Sequence, residues 1–425
     1  MATLCPSMPP PTLPTELVEY ILDFFDNFCD RQTLLSCSLV SRSWMRSSQS
    51  HLFREIRLSC RQPDRQIVSP YLALHIRRLV IVDDMNYWVN SDPFLVQLLS
   101  MLSALCSLEL INVNWQERGE GQLSEDLQRA LRVLLGQSTL TSVNLYNCHS
   151  FSPFYVLLFT TPSLRRLSIS YTRLDHGEGV ASGYPPPCKL VTLDYLSLER
   201  FVGPLISSQI LQFIDFTRLR TLVSHDDLCH VYIIPLLPVL GRAGTLERLE
   251  LGSVPQSLEF DLSLVPSLRH LSLTHVNAKE GGRLMGFLSN VCALIQLEDV
   301  HIVVRAELLV TADDLYPSID WTVWGELDEL FTASQLNHLR RVTFDVNVSV
   351  CWESWDANLS DDISLESVQI ARFAAMFPKL PRRGLLEVTE SLSDVALVSV
   401  LLHHELEATA KTKIMPVLLA TLESG

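Results

Sequence analysis

The chain has 425 residues, 47% of them hydrophobic, and a formal charge of −15 from 33 basic and 48 acidic side chains. That length exceeds what one compact core usually encloses, so several domains or one elongated repeat array are expected. The acidity argues against a general phosphate-backbone binder, which would be basic, so no nucleic-acid partner is expected.

The 10 cysteines are scattered singly with no CxxC pair. Those inside apolar segments, such as Cys106 and Cys292, read as small hydrophobes in a reducing compartment, cytoplasmic or nuclear. Residues Met1–Pro11 have neither a charged n-region nor an apolar h-region, and no uninterrupted apolar run of ~18 residues occurs, so neither export nor a membrane span is expected.

Residues 1–12 are proline-rich and are expected to be disordered. A helix is expected from Leu13-Pro14, because proline suits a first helical turn, where its missing N–H would have no partner. Glu16 and Glu19 complement the positive end of that helix. Leu17, Ile21, Phe24, Phe25 and Phe28 recur as one apolar face. After a break at Asn27 to Asp30, Asp30 is placed to N-cap a second short helix bearing Leu34, Leu35, Cys37, Leu39 and Val40. Ser41 to Trp44 leads into a third helix, and Leu52-Phe53 precedes a strand-like tail, Arg54–Leu58.

Periodicity alone supports a three-helix unit and leaves open a plain helical cap. The order of residues adds a resemblance. Leu13-Pro14-x-Glu16-Leu17, Ile21-Leu22, Ser38-Leu39-Val40-Ser41-Arg42-x-Trp44 and Leu52-Phe53 resemble the F-box family in sequence, over residues 13–58. Ser41 stands in the usual cysteine position, and the segment Phe25–Cys29 is slightly long. The resemblance implies docking onto the Skp-type adaptor of a Skp–cullin–F-box ubiquitin ligase. The module is too small to bury all its apolar side chains, and an exposed cluster of them marks a binding face. Leu13, Pro14, Leu17, Ile21, Leu39, Val40 and Trp44 are the residues expected on that face, with Trp44 the one most apt to pack internally.

A phrase then repeats: Leu, two residues, an apolar residue, one residue, another apolar residue. It opens at Leu105, Leu140, Leu164, Leu193, Leu219, Leu246, Leu268, Leu297 and Leu339, with a further copy at Ile76-Arg-Arg-Leu79-Val-Ile81. Its spacing and pattern resemble the strand segment of leucine-rich repeats, though the usual asparagine after it survives only at Asn112 and Asn147. The period-two apolar residues predict a short strand with one buried face. Helices are predicted between strands over Gly121–Leu135, Ser207–Phe213, Ile233–Leu240 and Gly282–Leu294. Such units cannot bury their apolar faces alone and must stack.

The expected fold is α/β: a three-helix F-box, then a leucine-rich-repeat-like solenoid over 59–384 with a curved parallel β-sheet and helices on the convex side. A helical cap is expected over 385–425. Asp313 to Phe331 reads as an acidic, tryptophan-bearing insert with a helix at Trp324–Phe331, and Val350–Asp362 as a second, surface insert. Taken together, the two parts resemble F-box/leucine-rich-repeat proteins of the fungal type.

No GxGxxG follows a strand, no GxxxxGK[ST] is present, and His404-Glu405 lacks the second histidine of a zinc-protease helix. His225, Cys229 and His230 fall short of a four-ligand metal set. No catalytic residue, cofactor or metal is expected. Recognition is: residues alternating with the buried ones point to the concave face, with Tyr146, Arg166, Tyr195, Arg248, His270, His301 and Arg341 as candidate contacts for an unknown target protein. The reading is a non-catalytic substrate-recognition subunit. A repeat scaffold acting outside any ligase, and more remotely an α/β enzyme, stay open from sequence alone.

Overall fold

A computed structural model describes residues 13–25, 30–60, 69–83, 88–114, 124–148, 161, 163–172, 190–199, 214–225, 233–255, 260–289, 296–310, 321–333, 336–352 and 371–390. The chain divides into two compact units, Met1–Leu219 and Arg220–Gly425.

The first unit opens with α1 (Thr15–Leu22), α2 (Arg31–Cys37) and α3 (Arg42–Leu52). Pro14 is the N-cap of α1, and its carbonyl accepts from the N–H groups of Leu17 and Val18. Asp30 holds the N-cap position of α2 but places no side-chain hydrogen bond into the helix. Ser41 caps α3, its hydroxyl accepting from the N–H of Trp44 at 3.4 Å. A hydroxyl at this position thus has a local role of its own, satisfying a helix-end donor.

The same unit continues with β1 (Glu55–Ser59), α4 (Pro70–Ala73), β2 (Arg78–Val82), α5 (Trp88–Ser91), α6 (Pro93–Met101), β3 (Ser107–Ile111), α7 (Glu125–Leu135), β4 (Ser142–Tyr146), β5 (Arg166–Ser170), β6 (Val191–Thr192), β7 (Tyr195–Glu199) and β8 (Ile214–Asp215). Strands β1, β2, β3, β4, β5 and β7 pair in that order, every pair parallel, while β6 pairs with β8. Because β1 pairs with β2 over Glu55–Ser59, the tail of the helical module is also the first strand of the sheet. The boundary expected after residue 58 is therefore a shared strand.

The second unit holds β9 (Thr221–Ser224), α8 (Leu237–Ala243), β10 (Arg248–Leu251), β11 (His270–Asn277), α9 (Gly281–Ser289), β12 (Asp299–Val310), α10 (Gly325–Thr332), β13 (Arg341–Trp352) and β14 (Leu386–Glu390). Its six strands also pair in chain order and in parallel. Sequential parallel pairing without reversal is what stacked strand-helix units produce.

The repeated phrase explains both units. In each of its copies the opening residue and both strand residues are buried, from Ile76, Leu79 and Ile81 to Leu339, Val342 and Phe344. Pairing keeps the copies in phase: Leu79, Leu108, Val143, Leu167 and Leu196 form one row, and Leu222, Leu249, Leu271, Val300 and Val342 another. The two residues after the opening leucine have a backbone task. Cys106 and Ser107 both donate N–H to the Arg77 carbonyl, and Arg269 and His270 both donate to that of Glu247. Full burial of each leucine stabilises by roughly 2 kcal/mol, so the phrase is the main cohesive element.

Predicted helices appear at α7, α8, α9 and α10. Helix α7 buries Leu127, Ala130, Leu131, Leu134 and Leu135, a continuous helical face, and is capped by Ser124. Ser207–Phe213 lies outside the described residues.

Two expectations change. Trp321 and Trp324 belong to no surface insert. Both are buried, with Trp321 5.0 Å and Trp324 5.4 Å from the ring of Phe373 and Phe344 stacked on Phe377 at 4.8 Å. The two tryptophan contacts bridge about fifty residues of chain, beyond the reach of local periodicity. In addition, Leu386–Glu390 is a strand paired with β13, so the stretch expected as a helical cap from 385 begins as one more sheet strand. Its alternation Leu386-Glu387-Val388 supplies the period-two pattern. Residues 391–425, the expected disordered segment 1–12 and most of Val350–Asp362 lie outside the described residues.

Candidate functional site

Two surfaces gather the residues singled out from sequence. The first is on the helical module. Its own core is Val18, Leu22, Leu34 and Leu52, with Phe25, Cys37, Trp44 and Phe53 packed against it. Helix α1 and the turn that follows it therefore carry two apolar rows at the same spacing. Val18, Leu22 and Phe25 point inward. Leu17, Ile21 and Phe24 point outward, 49%, 38% and 69% exposed. The single face expected from sequence merged these rows: Phe25 belongs to the core, and Phe28 lies outside the described residues.

Leu39 and Val40, between α2 and α3, are 87% and 66% exposed. Leu13 and Pro14 are exposed as well. Trp44 differs from the other six candidates, since it is half-buried against the module's core. Tyr20 was not singled out from sequence. It is exposed and stacks edge-on with Phe24 at 5.0 Å, extending the outward row. Its position three residues after Leu17 and four before Phe24 was the available signal.

The second surface is the open face of the strands. In the first unit, the Arg166 guanidinium lies 4.6 Å from the centre of the Tyr195 ring, across the β5–β7 pair. Tyr146 stands at the far end of its strand and packs on Tyr171 at 5.3 Å, so it does not join the Arg166–Tyr195 pair.

In the second unit, Arg248, His270, His301 and Arg341 line one groove, of about 510 Å³. Its charges are laced across strands. His270 Nδ1 is 2.8 Å from Asp299, whose other oxygen is 3.6 Å from Arg341 Nε. His301 Nε2 is 2.7 Å from Asp345 and its Nδ1 is 3.3 Å from the Ser272 hydroxyl. His225 Nε2 is 2.7 Å from Glu250. That hydrogen bond, with the nearby positive groups, holds the Glu250 carboxyl below its usual range against the opposing effect of burial.

Asp299 and Glu387, which also line the groove, escaped the sequence reading. Asp299 sits one residue before Val300, the phrase position occupied by Arg248 before Leu249, so the repeat itself held the signal.

Among the described residues, no group of three His, Cys, Asp or Glu side chains is placed to hold a metal ion. His225 is engaged with Glu250, while Cys229 and His230 lie outside the described residues. No described helix is long and apolar enough to cross a membrane. The arrangement presents contact surfaces: an apolar one on the helices and a hydrogen-bonding, charge-laced one on the strands.

Residues 11–59 match the family model described as F-box-like. No curated protein matches the chain. The matched span covers α1 to β1, the part that carries the outward apolar row, and supports an F-box protein. Such a domain suggests a ubiquitin-ligase adaptor role through Skp binding, and F-box domains are found in non-catalytic adaptor subunits.

Proposed function

We propose that this chain is the substrate-recognition subunit of a Skp–cullin–F-box ubiquitin ligase, acting in the cytoplasm or nucleus. The observation that carries the reading is the double-faced helix α1. One row fills the module's core, and the other, Leu17, Ile21 and Phe24, stays exposed, as do Leu39 and Val40 between α2 and α3. Large apolar side chains left exposed on a module with a closed core are the property of a protein-docking surface.

The strands after the module form a leucine-rich-repeat solenoid whose open face receives the target. The chain supplies no catalytic residue. It holds the target near the ubiquitin-charged enzyme bound to the cullin, raising the effective concentration of target lysines. Neither nucleic acid nor membrane takes part. The thiols Cys37 and Cys106 are consistent with a reducing compartment.

Co-purification with a Skp-type adaptor tests the reading. Wild-type chain is expected to capture the adaptor. Leu17→Asp with Ile21→Asp is expected to weaken capture by at least ~30-fold, the loss of roughly 2 kcal/mol that follows removal of a buried anchor, while leaving thermal melting nearly unchanged. Val18→Asp, in the core row, is expected to unfold the module instead. A wild-type chain that captures no adaptor would overturn the ligase assignment and leave a repeat scaffold acting outside any ligase.

A further inference from the structure

The charges of the second unit's groove differ in how far they are already satisfied. His270, Asp299 and Arg341 form one chain of contacts, His301 and Asp345 a second, and His225 and Glu250 a third. A ligand charge that engaged any of these would first have to displace a partner, and the exchange returns little.

Two charges of the groove are not committed in this way. Arg248 on β10 and Glu387 on β14 are exposed, and neither side chain is in a hydrogen bond or ion pair among the described residues. Glu250, the carboxylate that senses Arg248, is already held by His225. The open cation and the open anion stand at opposite ends of the groove. Four strand spacings separate β10 from β14 in the pairing order. At ~4.8 Å per spacing this is about 19 Å, the length of about six residues of extended chain. Between them the floor offers the hydroxyls of Ser272 and Thr343.

We propose that the groove takes an extended segment of the target protein, laid across the strands, that carries an acidic side chain for Arg248 and a basic side chain for Glu387 about six residues apart. The proposal rests on the substrate-receptor reading and specifies its ligand. The two terminal pairs set direction and register, which is the usual contribution of charges at the ends of an interface. The hydroxyls between them serve the backbone of the segment.

Selection of displayed random peptides of about twelve residues, long enough to span both ends, tests it with the full chain as bait. Wild type is expected to enrich peptides with an acid and a base about six positions apart, roughly tenfold over the same pair at other spacings. Arg248→Glu leaves an anion at both ends and is expected to select two bases at that spacing. Glu387→Arg is expected to select two acids. The neutral variants Arg248→Gln and Glu387→Gln each lose one half of the preference, and circular dichroism checks that all variants keep the fold.

An absence of spacing preference in wild type, or the same selected pattern in wild type and both charge-reversal variants, would overturn the proposal. Adaptor capture by wild type is scored separately. Its failure removes the receptor reading, whereas an unpatterned selection with adaptor capture intact removes the groove assignment alone.

Discussion

The side-chain amide of Asn147 donates to the Oδ1 of Asn112 at 2.8 Å, and both residues stand in the left-handed backbone region, at φ 52° and 58°. They follow neighbouring strands β4 and β3 directly. The N–H of Asn112 donates to the Tyr146 carbonyl, and that of Asn147 to the Ser170 carbonyl. Each asparagine thus turns the chain out of one strand while bonding to the end of the next. Asparagine suits the place because its short polar side chain tolerates this conformation. Asn147→Ala is expected to lower stability by about 2 kcal/mol, combining backbone strain with the lost hydrogen bond. Asn147→Gly keeps the turn and is expected to lose about 1 kcal/mol. Urea denaturation of both variants checks this. Equal losses would show that backbone strain contributes nothing.

The repeat phrase was legible because each copy carries its own evidence. Leu-x-x-Leu-x-Leu specifies a strand and its buried side within six residues, and in every copy those positions are buried. The outward face of α1 was only half legible. Leu17, Ile21 and Phe24 share their spacing with Val18, Leu22 and Phe25, and the choice between rows depends on where Leu34 and Leu52 meet the helix. Trp321 and Trp324 were misread because their shared neighbour Phe373 comes about fifty residues later. The groove was visible as a set of alternating residues. The pairing that separates Arg248 and Glu387 from its other charges depends on neighbouring strands, which no single copy of the phrase reveals.

His51 gives the helical module a pH response. It is buried on α3, 3.7 Å from Asp23. Burial pushes its imidazole below the ordinary value, and Arg54 adds to this, while Asp23 and Glu19 oppose it. The unfolded chain therefore binds the proton more readily than the folded one, and stability rises with pH across the interval between the two values. The contribution is complete above about pH 6.5 and is lost as the pH falls through the lower folded value. Wild-type melting temperature is expected to fall between neutral pH and about pH 5 more steeply than that of His51→Gln. Parallel melting curves for the two proteins would sink this assignment.

Gly281, the first residue of α9, is fixed by contact. A Cβ there would lie 2.9 Å from Trp324 Nε1 and 3.1 Å from Cδ1. The indole cannot easily retreat, because Nε1 donates to the Ala278 carbonyl at 2.8 Å. Helix propensity alone would make Gly281→Ala stabilising by nearly 1 kcal/mol. Overpacking is expected to outweigh it, for a net loss of about 1 kcal/mol. Gly286 lies in the same helix, and a Cβ there meets nothing within 4 Å. Gly286→Ala is accordingly expected to stabilise by up to ~1 kcal/mol. Thermal denaturation of the two variants should move in opposite directions, and a shift of the same sign in both would refute the contact argument.

Asp328 ties α10 to the segment that leads into β14. Its carboxylate is buried and accepts from the N–H of Leu380 at 2.8 Å and from that of Lys379, 2.9 Å from one oxygen and 3.1 Å from the other. Beside it Lys379 Nζ pairs with Glu329, an exposed contact that adds little. The backbone contacts matter more, because two donors would be left without a carboxylate in a water-poor site. Asp328→Ala is expected to cost about 3 kcal/mol, and Asp328→Asn, which keeps one acceptor oxygen, about half of that. Hydrogen exchange locates the damage. The amides of Lys379 and Leu380 are expected to exchange faster in Asp328→Ala, followed by those of β14, since the turn they anchor ends at Leu385, which accepts from Val342. Unchanged protection at β14 would show that the strand holds its place without this anchor. Faster exchange there would make Asp328 the residue that positions Glu387 for the groove.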